Sequence, residues 1–169
     1  ELGAVRAGGA ARRGAGRGGM AARGECDFVL VADSAGPVAT GTVVRGVLAA
    51  AVESGAAFPA ISPRDAVKRV EGNRLVESLD RSRIVLAQTP QAFAYELLAR
   101  AHREAPDAGL AGDDDAQLVA ATGHPVPAGQ GEPYTPTLTP PADPGVVQPL
   151  ISHPAPPTAW ARAPPARPP

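Results

Sequence analysis

The sequence predicts an α/β fold built on a parallel crossover, with a polar β-hairpin projecting from it as an arm. Three observations carry this expectation. A short apolar run, FVLV at 28–31, closes on Asp33. A helical pattern over 42–54 comes next, and then a second apolar run, AAFPAI at 56–61. Strand, helix and strand in that order require a crossover, so the two strands should run parallel with a right-handed connection. The third observation is the change of character at 64–78, where alternation persists but the residues become too polar for a core.

The first strand, within 26–33, has four consecutive apolar residues, as expected of a strand covered on both faces. Asp33 stands at its carboxyl end, where open α/β sheets bind ligands. From spacing alone Asp33 fits two roles, a ligand for a divalent cation bridging phosphates and a cap for the turn Ser34-Ala35-Gly36-Pro37. Over 42–54, Val43, Val44, Val47, Leu48 and Ala51 recur at helical spacing, with Thr42 as the expected cap and Gly55 as the stop. The hairpin places Ala66–Val70 and Arg74–Ser78 around Glu71-Gly72-Asn73. A two-stranded hairpin alone is marginal in water, so it is expected to pair with something, most simply a second copy of the chain.

Residues 84–88, IVLAQ, read as a third core strand. Thr89-Pro90-Gln91 then lead into a helix expected over 92–104, with Phe93, Leu97, Leu98 and Ala101 buried. Asp113, Asp114 and Asp115 open another helix through Ala121. Neighbours on one helical turn point in different directions, so capping and dipole compensation are favoured over a three-carboxylate metal site. After Gly123 regular structure is expected to fade, apart from one short strand around Leu138.

Composition divides the chain into three parts. Residues 1–24 hold 8 of the 19 glycines and five arginines, too little apolar surface to offset ordering entropy. Residues 25–143 form the expected domain, with the arm at 64–78. The tail at 144–169 is Pro-rich and expected to be disordered; 15 of the 20 prolines lie beyond residue 123. The formal net charge of -1 argues against a general nucleic-acid grip, which needs a basic face. No apolar run is long enough to span a bilayer. The single cysteine, Cys26, excludes an internal disulfide and suits a cytoplasmic location. The chain opens on Glu1 with no signal-peptide pattern, which reads as a processed or truncated chain.

Several segments, in order, carry a familiar pattern: Gly8-Gly9-Ala10-Ala11-Arg12, FVLVADSAGP at 28–37, RDAVKRV at 64–70, LDRSRIVLAQTPQAF at 79–93, DDDAQLV at 113–119 and LTPPAD at 138–143. The chain resembles the 2-C-methyl-D-erythritol 4-phosphate cytidylyltransferase family. The Thr-Pro-Gln piece, preceded by Asp80-Arg81, is the most specific match, and Gly-Gly-x-x-Arg the least. The resemblance implies a partial Rossmann-like nucleotidyltransferase sheet and a homodimer locked by the arm. It also implies Mg²⁺-dependent transfer of CMP from CTP to a sugar-alcohol phosphate. By the same resemblance Asp33 would hold the metal, and Gly9 and Arg12 would face the nucleotide. Arg81, Thr89 and Asp113 would face the sugar phosphate.

Other positions depart from the family pattern. Ala32 replaces a His, Gly36 an Arg, Ala66 a Thr, Asp113 a Thr, and Thr137 a Lys, and a Gly-rich basic half-site does not precede Val5. Each change removes a cation or a donor from a site built for polyanions. The expectation is therefore an N-terminally truncated, diverged member, with no catalytic group intact, and two functional readings stay open. One is a cytidylyltransferase whose missing half-site comes from elsewhere. The other is an inactive remnant, or a dimerising or regulatory protein, derived from that family. In either case the strand at 28–32 would present an unpaired sheet edge.

Overall fold

The structure of the protein is a computed structural model that describes residues 26–33, 39–104 and 114–133. In chain order the elements are β1 (Phe28–Val31), α1 (Gly41–Ser54), β2 (Ala56–Ile61), β3 (Lys68–Glu71), β4 (Arg74–Ser78), a 3-10 turn (Arg81–Arg83), β5 (Leu86–Ala87), β6 (Gln91–Ala94), α2 (Tyr95–Glu104), α3 (Asp115–Ala121) and β7 (Ala128–Gln130). The expected α/β class and the separate hairpin are both present.

The sheet runs β1-β6-β2-β5, with β7 joined to β2. β6 lies antiparallel between β1 and β2, so β1 and β2 run in the same direction without touching as neighbours. β7 is parallel to β2. The carboxyl ends of β1, β2 and β7 and the amino end of β6 therefore share one edge. Among the described residues β1 pairs only with β6.

Side chains alternate between the two faces. Ala57 and Ala92, with Phe28 and Leu30, pack against Val47 and Ala51 of α1. Ala56 and Phe93, with Val29, Val31 and Phe58, pack against Leu98, Ala101, Leu118 and Val119 of α2 and α3. The sheet is thus covered on both faces, as the apolar run at 28–31 suggests.

Several expectations need correction. The cap of α1 is Thr40, not Thr42: its hydroxyl accepts from the Val43 amide, and the helix begins one residue earlier than the pattern implies. Gly55 does end it, at φ 83°, in the left-handed conformation that favours glycine. Residues 84–88 do not form a core strand; only Leu86–Ala87 pair with β2, and both are exposed. The helix expected from Ala92 starts at Tyr95. Residues 91–94 are instead the strand that joins β1 to β2, and Phe93 is buried on a strand rather than on a helix. β5 and β6 lie along the same edge of β2, separated by Gln88, Thr89 and Pro90. Pro59 of β2 accepts from the Gln88 amide at 2.8 Å but has no N–H to return, and Pro90 also lacks one, so an unbroken ladder is ruled out there. Past Gly123, where the sequence suggests that regular structure fades, β7 forms against β2. The suggested strand around Leu138 lies outside the described residues, as do the two flanking segments.

The hairpin matches expectation in place and turn. Gly72 holds φ 61°, and the register shifts between Arg69 and Val70. Every residue of its two strands is exposed, including Val70, Leu75 and Val76. An Arg69–Glu77 ion pair and a Lys68–Ser78 hydrogen bond cross it, and exposed pairs of this kind contribute little to stability.

Candidate active site

The shared edge gathers the chemistry-bearing residues, and the segment Gln88–Gln91 is where they join. Thr89 comes after β5 and accepts a hydrogen bond from the Asp33 amide, N to Oγ1 3.2 Å. A threonine hydroxyl that accepts still has a proton to donate, so Thr89 remains able to meet a phosphate oxygen. The structure thus brings together two predicted site residues lying 56 positions apart. Both are half-buried.

Gln91, 3% exposed, starts β6 and reaches the opposite way. Its Nε2 donates to Asp114 Oδ2 (2.9 Å), and its Oε1 accepts from the Ala116 amide (3.1 Å). Asp114 Oδ1 in turn caps α3 by accepting from the Gln117 amide at 2.8 Å. Capping, favoured for the aspartate run, is what Asp114 does. Asp115 is buried and pairs with the equally buried His102 of α2 at 2.7 Å, which ties α2 to α3. Neither contact is legible in the sequence, because the partners lie on different elements. Asp113 itself lies outside the described residues, as do Gly9 and Arg12.

Gln88 spans β2 to reach β7. Its Nε2 donates to the Glu132 carbonyl (2.8 Å), and its Oε1 accepts from the Glu132 amide (3.0 Å). This side chain therefore acts as one rung of backbone ladder beyond the last residue of β7. Gly131 makes it possible: a Cβ there would collide with Gln88 Oε1 and stand 3.0 Å from the Ala60 carbonyl oxygen. Gly131→Ala should therefore displace the Gln88 amide and destabilise the protein by about 1–3 kcal/mol, measured as a lowered urea midpoint at unchanged slope. The Glu132 carboxylate, on a residue only 5% exposed, accepts from the Thr40 hydroxyl at 2.8 Å. Glu132, Gln88 and Thr40 are not among the predicted site residues, and no local spacing links them.

Arg81 sits on the 3-10 turn at the base of the hairpin, exposed, and donates from Nη1 to the Arg64 carbonyl at 2.8 Å. The contact ties the two feet of the arm together. Asp80 caps that turn; hydrogen bonds from the Ser82 hydroxyl and then the Ser82 amide hold its carboxyl below the usual aspartate range. Arg45, also unpredicted, folds its guanidinium back to the start of α1, with Nη1 3.1 Å from where a Gly41 Cβ would stand. No group of three or more metal-binding side chains occurs among the described residues. No helix among them is long and apolar enough to cross a membrane.

A strand-end aspartate is pinned by the threonine of a Thr-Pro-Gln segment, and a polar hairpin forms its own two-stranded sheet. Residues 4–151 match the family described as 2-C-methyl-D-erythritol 4-phosphate cytidylyltransferase. The chain belongs to that family. The enzyme of that name from Bacillus cereus is 42% identical over 117 residues, 69% of this chain and 52% of the relative. The Geobacillus thermodenitrificans enzyme is 40% identical over 117 residues, 69% of this chain and 51% of its own length. The crystal structure of 2-C-methyl-D-erythritol 4-phosphate cytidylyltransferase from Thermus thermophilus superposes with a TM-score of 0.78 at 37% identity. That match covers 86% of this chain and 72% of the other. The chain spans about half the length of the curated relatives it matches. The family fold accounts for the mixed sheet and for the hairpin as a separate two-stranded unit.

Proposed function

We propose that this chain works in Mg²⁺-dependent transfer of CMP from CTP to 2-C-methyl-D-erythritol 4-phosphate, a step of isoprenoid precursor synthesis in the cytoplasm. The observation that carries the proposal is the Asp33–Thr89 contact at the carboxyl edge of parallel strands, in a chain of this family. A phosphate oxygen of the sugar-alcohol phosphate attacks the α-phosphorus of CTP. The bond from that phosphorus to the bridging oxygen breaks, and pyrophosphate leaves. The reaction asks little covalent work of the protein. It asks for two polyanions held in line.

The donor set at the edge fits a hard cation. Asp33 offers a carboxylate at a half-buried strand end, and Mg²⁺ is commonly held by one or two carboxylates together with substrate phosphates and water. When bound, the ion would neutralise charge on those phosphates. Thr89 would donate its hydroxyl proton to the sugar phosphate, and Arg81 would reach the same phosphate from the foot of the arm. Asp113 would lie on that substrate side, and Gly9 and Arg12 on the nucleotide side. The arm would lock a homodimer through Val70, Leu75 and Val76, which are 56%, 63% and 45% exposed.

The test is pyrophosphate release by the purified full chain with CTP, Mg²⁺ and the sugar phosphate. Mg²⁺-dependent CTP binding is expected of the chain itself, and release that requires all three once a polypeptide supplies the missing half-site; Asp33→Asn should lower that release on the order of 10²-fold. No release, and no heat from millimolar CTP with Mg²⁺, would sink the reading. The exposed apolar residues of the arm favour a second reading, a dimerising or regulatory protein derived from the family. Native mass spectrometry of a mixture with a full-length family member should then show a mixed dimer; its absence would dismiss that alternative.

A further inference from the structure

The sheet is interrupted where the candidate site begins, and a glutamine stands on either side of the gap. Between the pairs Ala57–Ala92 and Ala60–Ala87, β2 has two residues and the chain opposite has four, Gln88 to Gln91. Thr89 and Pro90 are therefore inserted as a bulge, with Gln88 and Gln91 as its feet. Bulges re-aim side chains and are common beside active sites. Neither Pro59 nor Pro90 has an N–H, and among the described residues no backbone hydrogen bond ties Thr89 or Pro90 to β2. Side chains hold the feet instead. Gln91 is tied to Asp114 and to the Ala116 amide at the start of α3. The Gln88 main-chain amide bonds the Pro59 carbonyl oxygen at 2.8 Å, and its side-chain amide grips the Glu132 N–H and C=O. That end of β7 is itself anchored, because the Gly131 amide bonds the Ala60 carbonyl oxygen at 2.8 Å. Between the feet, the Thr89 hydroxyl accepts from the Asp33 amide.

We infer that Gln88 is a positioning residue for Thr89: its side-chain amide, locked on Glu132, fixes the foot of the bulge next to Thr89 and so sets where the Thr89 hydroxyl stands. The inference deepens the proposed function and rests on it for the part played by Thr89. The arrangement has a simple mechanical sense. A carboxamide offers a donor and an acceptor in one plane, so two bonds to the same residue oppose rotation of this foot about its main-chain bond to Pro59. Threonine is stiff at χ1, so its hydroxyl follows any tilt of the backbone that carries it. Small misplacements of a group that holds a substrate are costly in rate. Where the ladder gives the bulge no support, the Gln88 side chain supplies it.

The test compares the full chain with Gln88→Met, Thr89→Val, the double variant and Gly131→Ala, which crowds the Gln88 amide while leaving residue 88 unchanged. Amide exchange is followed residue by residue, and binding of 2-C-methyl-D-erythritol 4-phosphate by its phosphorus NMR line. The Asp33 amide reports on its contact with Thr89. Gln88→Met and Gly131→Ala should each speed its exchange at least tenfold more than exchange in residues 41–54 and 92–94. The double variant should do no more than Thr89→Val, since both changes act on one contact. Sugar-phosphate affinity should fall at least fivefold in Gln88→Met and in Thr89→Val, with no further loss in the double variant. Should Gln88→Met fail to fold, Gln88→Glu, which loses only the donor to the Glu132 carbonyl, is read in the same way. Acceleration at Asp33 no greater than in 41–54 and 92–94, meaning a merely stabilising role, would overturn the inference. So would additive effects in the double variant. If the parent binds no sugar phosphate, the part given to Thr89 in the proposed function fails, and the exchange contrast still decides whether Gln88 positions Thr89.

Discussion

Phe93→Ala should destabilise the protein by about 3–5 kcal/mol, enough to leave much of the chain unfolded. Net stabilities of ordinary domains are only about 5–15 kcal/mol. Phe93 is fully buried and lies on β6, opposite Val29 of β1 and Ala56 of β2. It also packs with Leu98, Ala101, Leu118 and Val119. One side chain therefore joins two strands and two helices. The small residues around it, Ala56, Ala101 and Ala116, have few atoms with which to refill the space. Chemical denaturation monitored by circular dichroism gives the number. Amide exchange adds a check on the element itself. Residues 91–94 should be protected as strongly as 56–61, which a fraying first turn of a helix would not be.

Gln91→Ala should cost roughly 2–4 kcal/mol, because it strips a hydrogen-bond partner from both the Asp114 carboxylate and the buried Ala116 amide. Gln91→Met keeps most of the volume and loses both hydrogen bonds. It should recover only the packing share, so a loss near that of the alanine variant identifies the bonds as the main contribution. The consequence should be local as well as global. α3 begins at Asp115 with Asp114 as its cap, and Gln91 is what ties that cap to the sheet. Exchange at Ala116 and Gln117 should quicken more than exchange in α1. If the two helices respond alike, Gln91 matters only for overall stability and not for the placement of the acidic turn.

Both predictions concern residues whose roles the chain order conceals. The run Gln91–Ala94 has an apolar residue for each face of the sheet, Ala92 toward α1 and Phe93 toward α2 and α3. A strand covered on both faces shows no polar alternation, and over four residues it is indistinguishable from the start of the helix after it. β7 is invisible for a different reason. Ala128-Gly129-Gln130 has no strand propensity to speak of; it is a strand because β2 offers it a ladder. The reverse error at 84–88 has the same origin, since Ile84, Val85 and Leu86 look like a core strand while Val85 and Leu86 remain about half exposed.

The sequence by itself determined the features that arise from local chemistry. The apolar runs at 28–31 and 56–61, the periodicity of α1 with its glycine stop, the hairpin around Gly72-Asn73, and the acidic start of α3 all depend on residues close together in the chain. Family membership was legible for the same reason, because short ordered motifs survive in the line of text. Only the tertiary structure decided which strands are neighbours, that Thr89 meets the Asp33 amide, that Gln91 reaches α3, and that Gln88 and Glu132 link β7 to the cap of α1. Those contacts join residues from 23 to 92 positions apart. Their geometry depends on where the sheet brings its strand ends, which no local spacing encodes.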